Sequence, residues 1–443
     1  MNTDSALRFS DNHTKADILV GPGILCGSVQ VPCSKSLAHR ALICASLAEG
    51  TSHLSRLTFS RDIEATMKCM QALGAKIQPA AGHPDELLVK GSTAFVKSAA
   101  PLKLYADESG STLRFLIPVA AASSAPITFL GEPSLLMRPM GIYADVFLNQ
   151  DLPFMQSPEG ISFHGPLQPG LFTLPGNVSS QFISGLLFAA PLLQGEVSIA
   201  VLPPYQSRSY TGLTVSMMKI FGIHIDEPTE NGYILPAFQH YHSADYAVEG
   251  DYSQAAFFAV SAAIEGEITL KGMNPDSLQG DAVILSILEK SGARLEWDGD
   301  TLRVSHHQLI AQTIDLADCP DLGPILCVLA AYTPGTTRLI HAARLRYKEC
   351  DRIAAMEENL KAWGVEVSSD EDSMTITGKK TWSAEEPVKV SCFNDHRIAM
   401  AMAVFAAHAR TNCILESAQA VSKSYPDFFR DFVSLHGKAE LYE

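Results

Sequence analysis

DYSQAAFFAVSAAIEG (251–266) and ILEKSGARLEW (287–297) follow one another in the chain and read as the two halves of one unit. The first opens on polar groups and continues as small apolar residues, the pattern of a helix buried almost all round. The second is an amphipathic helix that stops at Gly292 and leads into a strand. A helix C-terminus often needs a left-handed residue, which glycine supplies without a Cβ clash. Working outward, the amphipathic half recurs as MQALGAKIQ (70–78), MKIFGIHID (218–226), ENLKAWGVEVSS (358–369) and DFVSLHGKAELY (431–442). The stops Gly74, Gly222, Gly292, Gly364 and Gly437 are 148, 70, 72 and 73 residues apart. The first step is double the others. A degenerate copy, IYADVFLNQDLPF (142–154) with Asn149 as its stop, fills the gap.

The buried half recurs as SLAHRALICASLAEG (36–50), SGSTLRFLIPVAAAS (109–123), SSQFISGLLFAAPLL (179–193), PDLGPILCVLAAYTPG (320–335) and NDHRIAMAMAVFAAH (394–408). With Ser36, Ser111, Ser179, Ser253, Asp321 and Asn394 taken as N-caps, the steps are 75, 68, 74, 68 and 73 residues. Ser, Asp and Asn are favoured caps. Two periodicities that agree at six positions outweigh coincidence in an Ala-rich α/β chain. The sequence therefore predicts six units of about seventy residues, each with one buried helix, one amphipathic helix and intervening strands. Six units exceed one core, and three per domain is the natural division.

The 443 residues are 47% apolar and 18% charged, a globular composition that excludes a largely disordered chain. The most apolar stretches, such as FLIPVAAASSAPITFLG (115–131), are broken by Pro or Ser pairs, so no bilayer span is expected. MNTDSALRFSDNHTK (1–15) lacks a charged start followed by an apolar core, and no signal peptide is expected. These features point to a cytoplasmic protein. The nine cysteines are scattered with no CxxC pair, which argues against a disulfide framework or a zinc site. A formal net charge of −15 opposes nonspecific binding to nucleic acid or anionic membranes.

The cations that are present collect at the unit openings. Lys35, between Ser34 and Ser36 and followed by Arg40, suits a phosphate at a helix N-terminus. Glu108-Ser109-Gly110-Ser111-Thr112 offers close backbone approach to a ligand, and Arg138 follows in GEPSLLMRPMG (131–141). Ser179-Ser180-Gln181 suits hydroxyl groups, and Ser207 lies in a loop before another helix. Asp321 is a candidate carboxylate base. Lys348, Glu349 and Arg352 lie within RLRYKECDR (344–352), Arg397 within NDHR (394–397) and Lys423 within SKSYPDFF (422–429). Alone, most of these read at least as well as an ordinary cap or a solvated charge, whereas NDHR, four polar residues directly before a buried run, leans functional. Together, seven cations recur at equivalent unit ends, and convergence of those ends would make one pocket for two anionic groups. No metal-ligand spacing, dinucleotide fingerprint or Walker sequence is present.

In this order and at this spacing, PCSKSLAHRAL, SGSTLRF, GEPSLLMRP, VSSQF, SRSY, VEGDYSQAAFF, LQGD, CPDL, RYKECDR, NDHRIAMA and KSYPDFF resemble the EPSP synthase family of enolpyruvyl transferases over essentially the whole chain. The resemblance implies an α/β, two-domain enolpyruvyl-transferase fold, each domain three βαβαββ units with buried parallel helices. It implies domains 1–33 plus 250–443 and 34–249, with the active site in the cleft between them. It implies transfer of the enolpyruvyl group of phosphoenolpyruvate to the 5-hydroxyl of shikimate-3-phosphate, a step of aromatic amino-acid biosynthesis. No metal and no organic cofactor are implied, and a monomer is expected.

By motif, Lys35, Ser36, Arg40, Ser179, Ser180, Gln181, Ser207, Asp321 and Lys348 are similar to shikimate-3-phosphate contacts. Lys35, Gly110, Arg138, Gln181, Arg352, Arg397 and Lys423 are similar to phosphoenolpyruvate contacts. The resemblance makes Asp321 the base and makes Glu349 and Lys35 candidates to protonate the methylene carbon. Cys33, Glu108, Gly212 and Arg344 depart from the family pattern, which has Gly, Asn, Asp and Asn there. The competing readings are UDP-N-acetylglucosamine enolpyruvyl transferase and an inactive binding protein on the same fold. The former has Lys-Asn in place of Lys35-Ser36, and a Cys in the loop of Arg138 that 131–141 lacks.

Overall fold

The computed structural model describes residues 15–442. The absence of a signal peptide was read largely from residues 1–14, which lie outside the described residues. Among the described residues, no helix is long and apolar enough to cross a membrane.

The chain forms two compact units. The second runs continuously from Cys33 to Glu249, and the first combines the residues before it with those after it. Cys33, which the sequence assigned to the first domain, packs in the core of the second. Each unit holds three four-stranded sheets. In every sheet one parallel pair is extended by two antiparallel strands. Leu102–Tyr105, for example, pairs in parallel with Pro126–Leu130, which is antiparallel to Gly160–His164 and, beyond it, Phe154–Ser157.

The crossover between parallel strands is the buried helix. Gly110–Ala120 makes that connection here, as do Ser180–Ala189, Gly323–Tyr332 and His396–His408 in their own sheets. Lys35–Leu47 and Tyr252–Ile264 lead into Thr51–Ser55 and Glu267–Lys271, whose parallel partners come from distant chain. All thirteen residues of Tyr252–Ile264 and of His396–His408 are buried, as expected of a helix without a polar face. Burying each Ile, Phe, Val or Met in them contributes about 1.5–3 kcal/mol before entropy is counted. Close packing needs one glycine in particular. A Cβ on Gly185 would run into the Arg114 carbonyl and the Tyr143 hydroxyl, so only glycine lets these two helices meet there.

The periodicity is right in length but displaced in phase. Four stops, Gly74, Gly222, Gly292 and Gly364, have positive φ. At the last stop His436 takes the left-handed conformation in place of Gly437, and in the degenerate copy Asp151 does so in place of Asn149. Four N-caps are Ser34, Ser109, Asp251 and Asp395, in place of Ser36, Ser111, Ser253 and Asn394. A cap must reach back to a free N–H from an extended backbone, and Asn394, with φ at 53°, cannot. Asp321 caps nothing. It lies in the short 3-10 turn Pro320–Leu322 before its helix.

Two long-range pairings close the first unit. Cys26–Gln30 pairs in parallel with Glu267–Lys271. Asp17–Gly21 is sandwiched between Cys413–Glu416 and Lys438–Tyr442.

Candidate active site

In the first unit, five of the candidate residues form one ion-pair network around a carboxylate. Asp321 Oδ1 lies 3.1 Å from Lys348 Nζ and 3.0 Å from Arg352 Nη1, and its Oδ2 lies 3.1 Å from Arg397 Nη2. Arg397 Nη1 also donates to the Asp321 carbonyl, at 3.2 Å. Arg352, 1% exposed, donates through Nη2 to Glu349 Oε2 at 2.7 Å. It also grips Asp395, Nε to Oδ2 at 2.8 Å and Nη2 to Oδ1 at 3.2 Å.

Asp395, wholly buried, caps its helix by accepting the Arg397 N–H at 2.8 Å. One residue thus anchors two cations, one through its side chain and one through the backbone. Phe393 and Asn394 are both left-handed, and the Asn394 carbonyl accepts from Lys423 Nζ at 2.8 Å. Lys423 therefore joins the opening of the same helix without an ion pair to Asp321.

Burial alone would push the Asp321 carboxyl up. Arg397, Lys348 and Arg352 outweigh it and hold Asp321 well below the usual carboxylate range. Burial likewise opposes charge on Arg352, but Asp395, Glu349 and Asp321 overcome it and raise the guanidinium further. Both groups therefore remain charged at neutral pH.

The second unit is assembled differently. Lys35, the first residue of its helix, pairs with Asp62 Oδ2 at 2.9 Å. Ser36 follows in the same first turn, and its carbonyl accepts from Arg40 Nη1 at 2.6 Å. Arg40 is 2% exposed. Its Nε donates to Thr214 Oγ1 and its Nη2 to the Tyr210 carbonyl, both at 2.8 Å. Burial pushes its pKa down to about 10, which leaves it charged. Ser207, buried and left-handed with φ at 52°, opens the helix Arg208–Ile220 that carries Tyr210 and Thr214. A non-glycine residue in that conformation costs of order 1–3 kcal/mol and clusters at functional sites.

Gly110, Arg138 and Gln181 come together. A Cβ on Gly110 would sit 2.8 Å from Arg138 Nη1 and 3.9 Å from Gln181 Oε1. Ser179 caps the helix of Ser180 and Gln181, accepting the Gln181 N–H at 3.4 Å. The Gln181 amide is oriented by two neighbours. Arg114 Nη1 donates to Oε1 at 2.8 Å, and Nε2 donates to Ser111 Oγ at 3.0 Å.

Sequence reasoning missed Asp62, Arg114, Ser111, Thr214 and Asp395 as partners. A signal existed for three of them. Ser111 and Arg114 stand inside the quoted SGSTLRF. Arg114 follows Gly110 by one helical turn, and Asp395 stands inside a quoted motif.

The model of the family EPSP synthase (3-phosphoshikimate 1-carboxyvinyltransferase) matches residues 20–432. The 3-phosphoshikimate 1-carboxyvinyltransferase of Clostridium kluyveri is 40% identical over 427 residues, spanning 96% of this chain and 98% of that protein. That of Clostridium novyi is 40% identical over 428 residues, spanning 95% and 98%. Among solved structures, EPSP synthase from Acinetobacter baumannii superposes with a TM-score of 0.79 at 25% identity, over 97% of this chain and 100% of that one. The enolpyruvyl transferase NikO from Streptomyces tendae shares the fold, with a TM-score of 0.74 at 15% identity over 97% and 100%.

Proposed function

The chain belongs to the EPSP synthase family, and on that premise we propose that it transfers the carboxyvinyl group of phosphoenolpyruvate to the 5-hydroxyl of shikimate-3-phosphate. Phosphate is the second product. The observation that carries the reading at the level of chemistry is the Asp321 carboxylate, held ionised by three cations.

An alcohol must lose its proton as its oxygen attacks, and Asp321 is a carboxylate able to take it. The 5-oxygen bonds to C2 of phosphoenolpyruvate, and the methylene carbon C3 gains a proton from Lys35 or from Glu349 in its protonated form. The product of this addition is a tetrahedral intermediate. Loss of a proton from C3 then expels phosphate from C2 and restores the double bond as an enol ether. Arg352, Arg397, Lys423, Arg138 and Lys35 are assigned to the phosphate and carboxylate of the donor. Preset cations of this kind stabilise charge without reorganising at the moment of reaction. Lys35, Ser36, Arg40, Ser179, Ser180, Gln181, Ser207 and Lys348 are assigned to the acceptor, with Gly110 and Gln181 beside the donor. The same reading carries a cytoplasmic monomer.

The test is phosphate release from phosphoenolpyruvate with each acceptor in turn. Release with shikimate-3-phosphate and none with UDP-N-acetylglucosamine supports the proposal. Release only with the nucleotide sugar, or with neither, overturns it.

A further inference from the structure

Behind the Lys35 and Gly110 segments runs a buried hydrogen-bonded chain that none of the roles above uses. His39 Nδ1 lies 2.8 Å from Thr66 Oγ1, which lies 2.7 Å from Thr112 Oγ1, which lies 2.7 Å from Ser109 Oγ. All four side chains are fully buried. They come from three helices. His39 belongs to Lys35–Leu47 and Thr66 to Arg61–Ala72, while Thr112 and its cap Ser109 open Gly110–Ala120.

The chain has a direction. The two threonine hydroxyls have one alternative acceptor, the Asp62 carbonyl, but at 3.4 and 3.3 Å it is the weaker partner. Were the protons to run from Ser109 toward His39, the ring would accept at Nδ1 and carry its hydrogen on Nε2. That nitrogen is buried and has no hydrogen-bond partner. The far end is fixed by geometry, because Thr112 Oγ1 donates to Ser109 Oγ. The ring therefore donates from Nδ1, and the protons run through Thr66 and Thr112 to Ser109. Burial pushes the His39 pKa down to about 3, so the ring stays neutral and keeps that tautomer.

The middle helix also supplies Asp62, the partner of Lys35. The Asp62 carbonyl is touched by both threonines, and Ser109 in turn accepts the Thr112 N–H at 3.1 Å beside Gly110. Thr66 lies one turn beyond Asp62 on the same helix, so the chain joins the helix that holds Lys35 to the residue that starts the Gly110 turn.

We propose that Thr66 and Thr112 are positioning residues for the donor substrate, fixing the Gly110 turn against the Lys35–Asp62 pair through the chain that runs from His39 to Ser109. The inference rests on the assignment of Lys35 and Gly110 to phosphoenolpyruvate. Loosening this chain moves the donor cradle without removing a group that touches substrate. A displacement near 1 Å costs up to roughly 100-fold in rate.

Three variants test it in the full-length enzyme: Thr66→Val, Thr66→Ser and Gly110→Ala. Thr66→Val should raise KM for phosphoenolpyruvate roughly ten-fold and leave KM for shikimate-3-phosphate within about two-fold. Thr66→Ser, which keeps the hydroxyl, should restore the wild-type value. Equal losses on both substrates, or no rescue by serine, would mean a merely structural role and overturn the proposal. If Gly110→Ala raises KM for phosphoenolpyruvate and Thr66→Val does not, the positioning inference fails and the site assignment stands. If Gly110→Ala changes nothing, the site assignment fails and takes the inference with it. Should Thr66→Val not fold, nitrogen NMR of the His39 ring in the wild-type enzyme decides. A neutral ring protonated at Nδ1 from pH 5 to 8 supports the chain as drawn, and an Nε2–H ring or titration in that range overturns it.

Discussion

The two units hold their cations by opposite means. In the first, Lys348, Arg352 and Arg397 face Asp321, Glu349 and Asp395, three positive charges against three negative ones. In the second, Arg40 is held by carbonyls and a threonine hydroxyl, Arg114 donates to an amide, and Lys35 pairs with Asp62. The difference concerns what each unit loses when one partner is removed. A buried ion pair deprived of one charge leaves the other stranded in a poor solvent. A cation held by neutral dipoles keeps its environment when any single one is lost.

The largest effect should come from Asp321→Asn. The proposed base is lost while its shape is kept, so turnover should fall by roughly two to four orders of magnitude. Steady-state kinetics with both substrates would check this, and near-normal turnover removes Asp321 from the mechanism. Next comes Asp395→Asn, which removes one of the three carboxylates around buried Arg352, leaves three cations against two anions, and should destabilise the fold by about 3 kcal/mol. Its counterpart, Asp62→Asn, breaks a pair whose side chains are 18% and 16% exposed, and should cost about 1 kcal/mol or less. Denaturant unfolding of the two variants side by side measures the contrast, and equal losses break it.

A third prediction concerns a point on which the units agree. Each buries a neutral histidine. Burial pushes His39 down to about 3 and His408 down to about 4. Below pH 6.5 the unfolded chain binds a proton that the folded one refuses. Each residue therefore subtracts stability as pH falls from 6.5 to its own folded pKa, and the loss levels off below it. His408→Gln should reduce the slope of stability against pH between 6 and 4 by about 1.4 kcal/mol per pH unit. An unchanged slope would mean that His408 titrates alike in both states.

The smallest effect on the chemistry should come from Gly110→Ala. The new methyl group would meet the end of the Arg138 side chain, which is flexible enough to swing aside. Phosphoenolpyruvate should weaken roughly ten-fold, the scale of one displaced charged contact. The family resemblance implies that glyphosate would compete for the donor site. It is the longer ligand and should weaken more, as inhibition constants measured beside KM would reveal. An unchanged inhibition constant would detach the Gly110 segment from the donor.

The parts that were legible in the sequence are those set by local rules. A buried helix needs small apolar residues all round and an amphipathic one needs a stop, so the six units could be read from spacing alone. Phase was harder. Ser34 and Ser36, or Asn394 and Asp395, are all acceptable caps by type, and only the backbone conformation separates them. Pairings between separate elements, within a unit or across units, were not legible. Lys35 meets Asp62 across 27 residues and Arg352 meets Asp395 across 43. Nothing in one-dimensional spacing fixes those distances, because the sheets between them do.

The strand Cys26–Gln30 has a consequence for synthesis. It pairs with Glu267–Lys271, 241 residues further along, while the second unit between them is contiguous. At ribosomal speeds of about 5–20 residues per second, that strand waits on the order of tens of seconds for its neighbour. Asp17–Gly21 waits longer, because its partners begin at Cys413 and Lys438. The inserted unit can therefore fold as a whole while two unpaired strand edges trail at its start. Those edges are the segments most open to a chaperone, or to wrong pairing, before the chain is released.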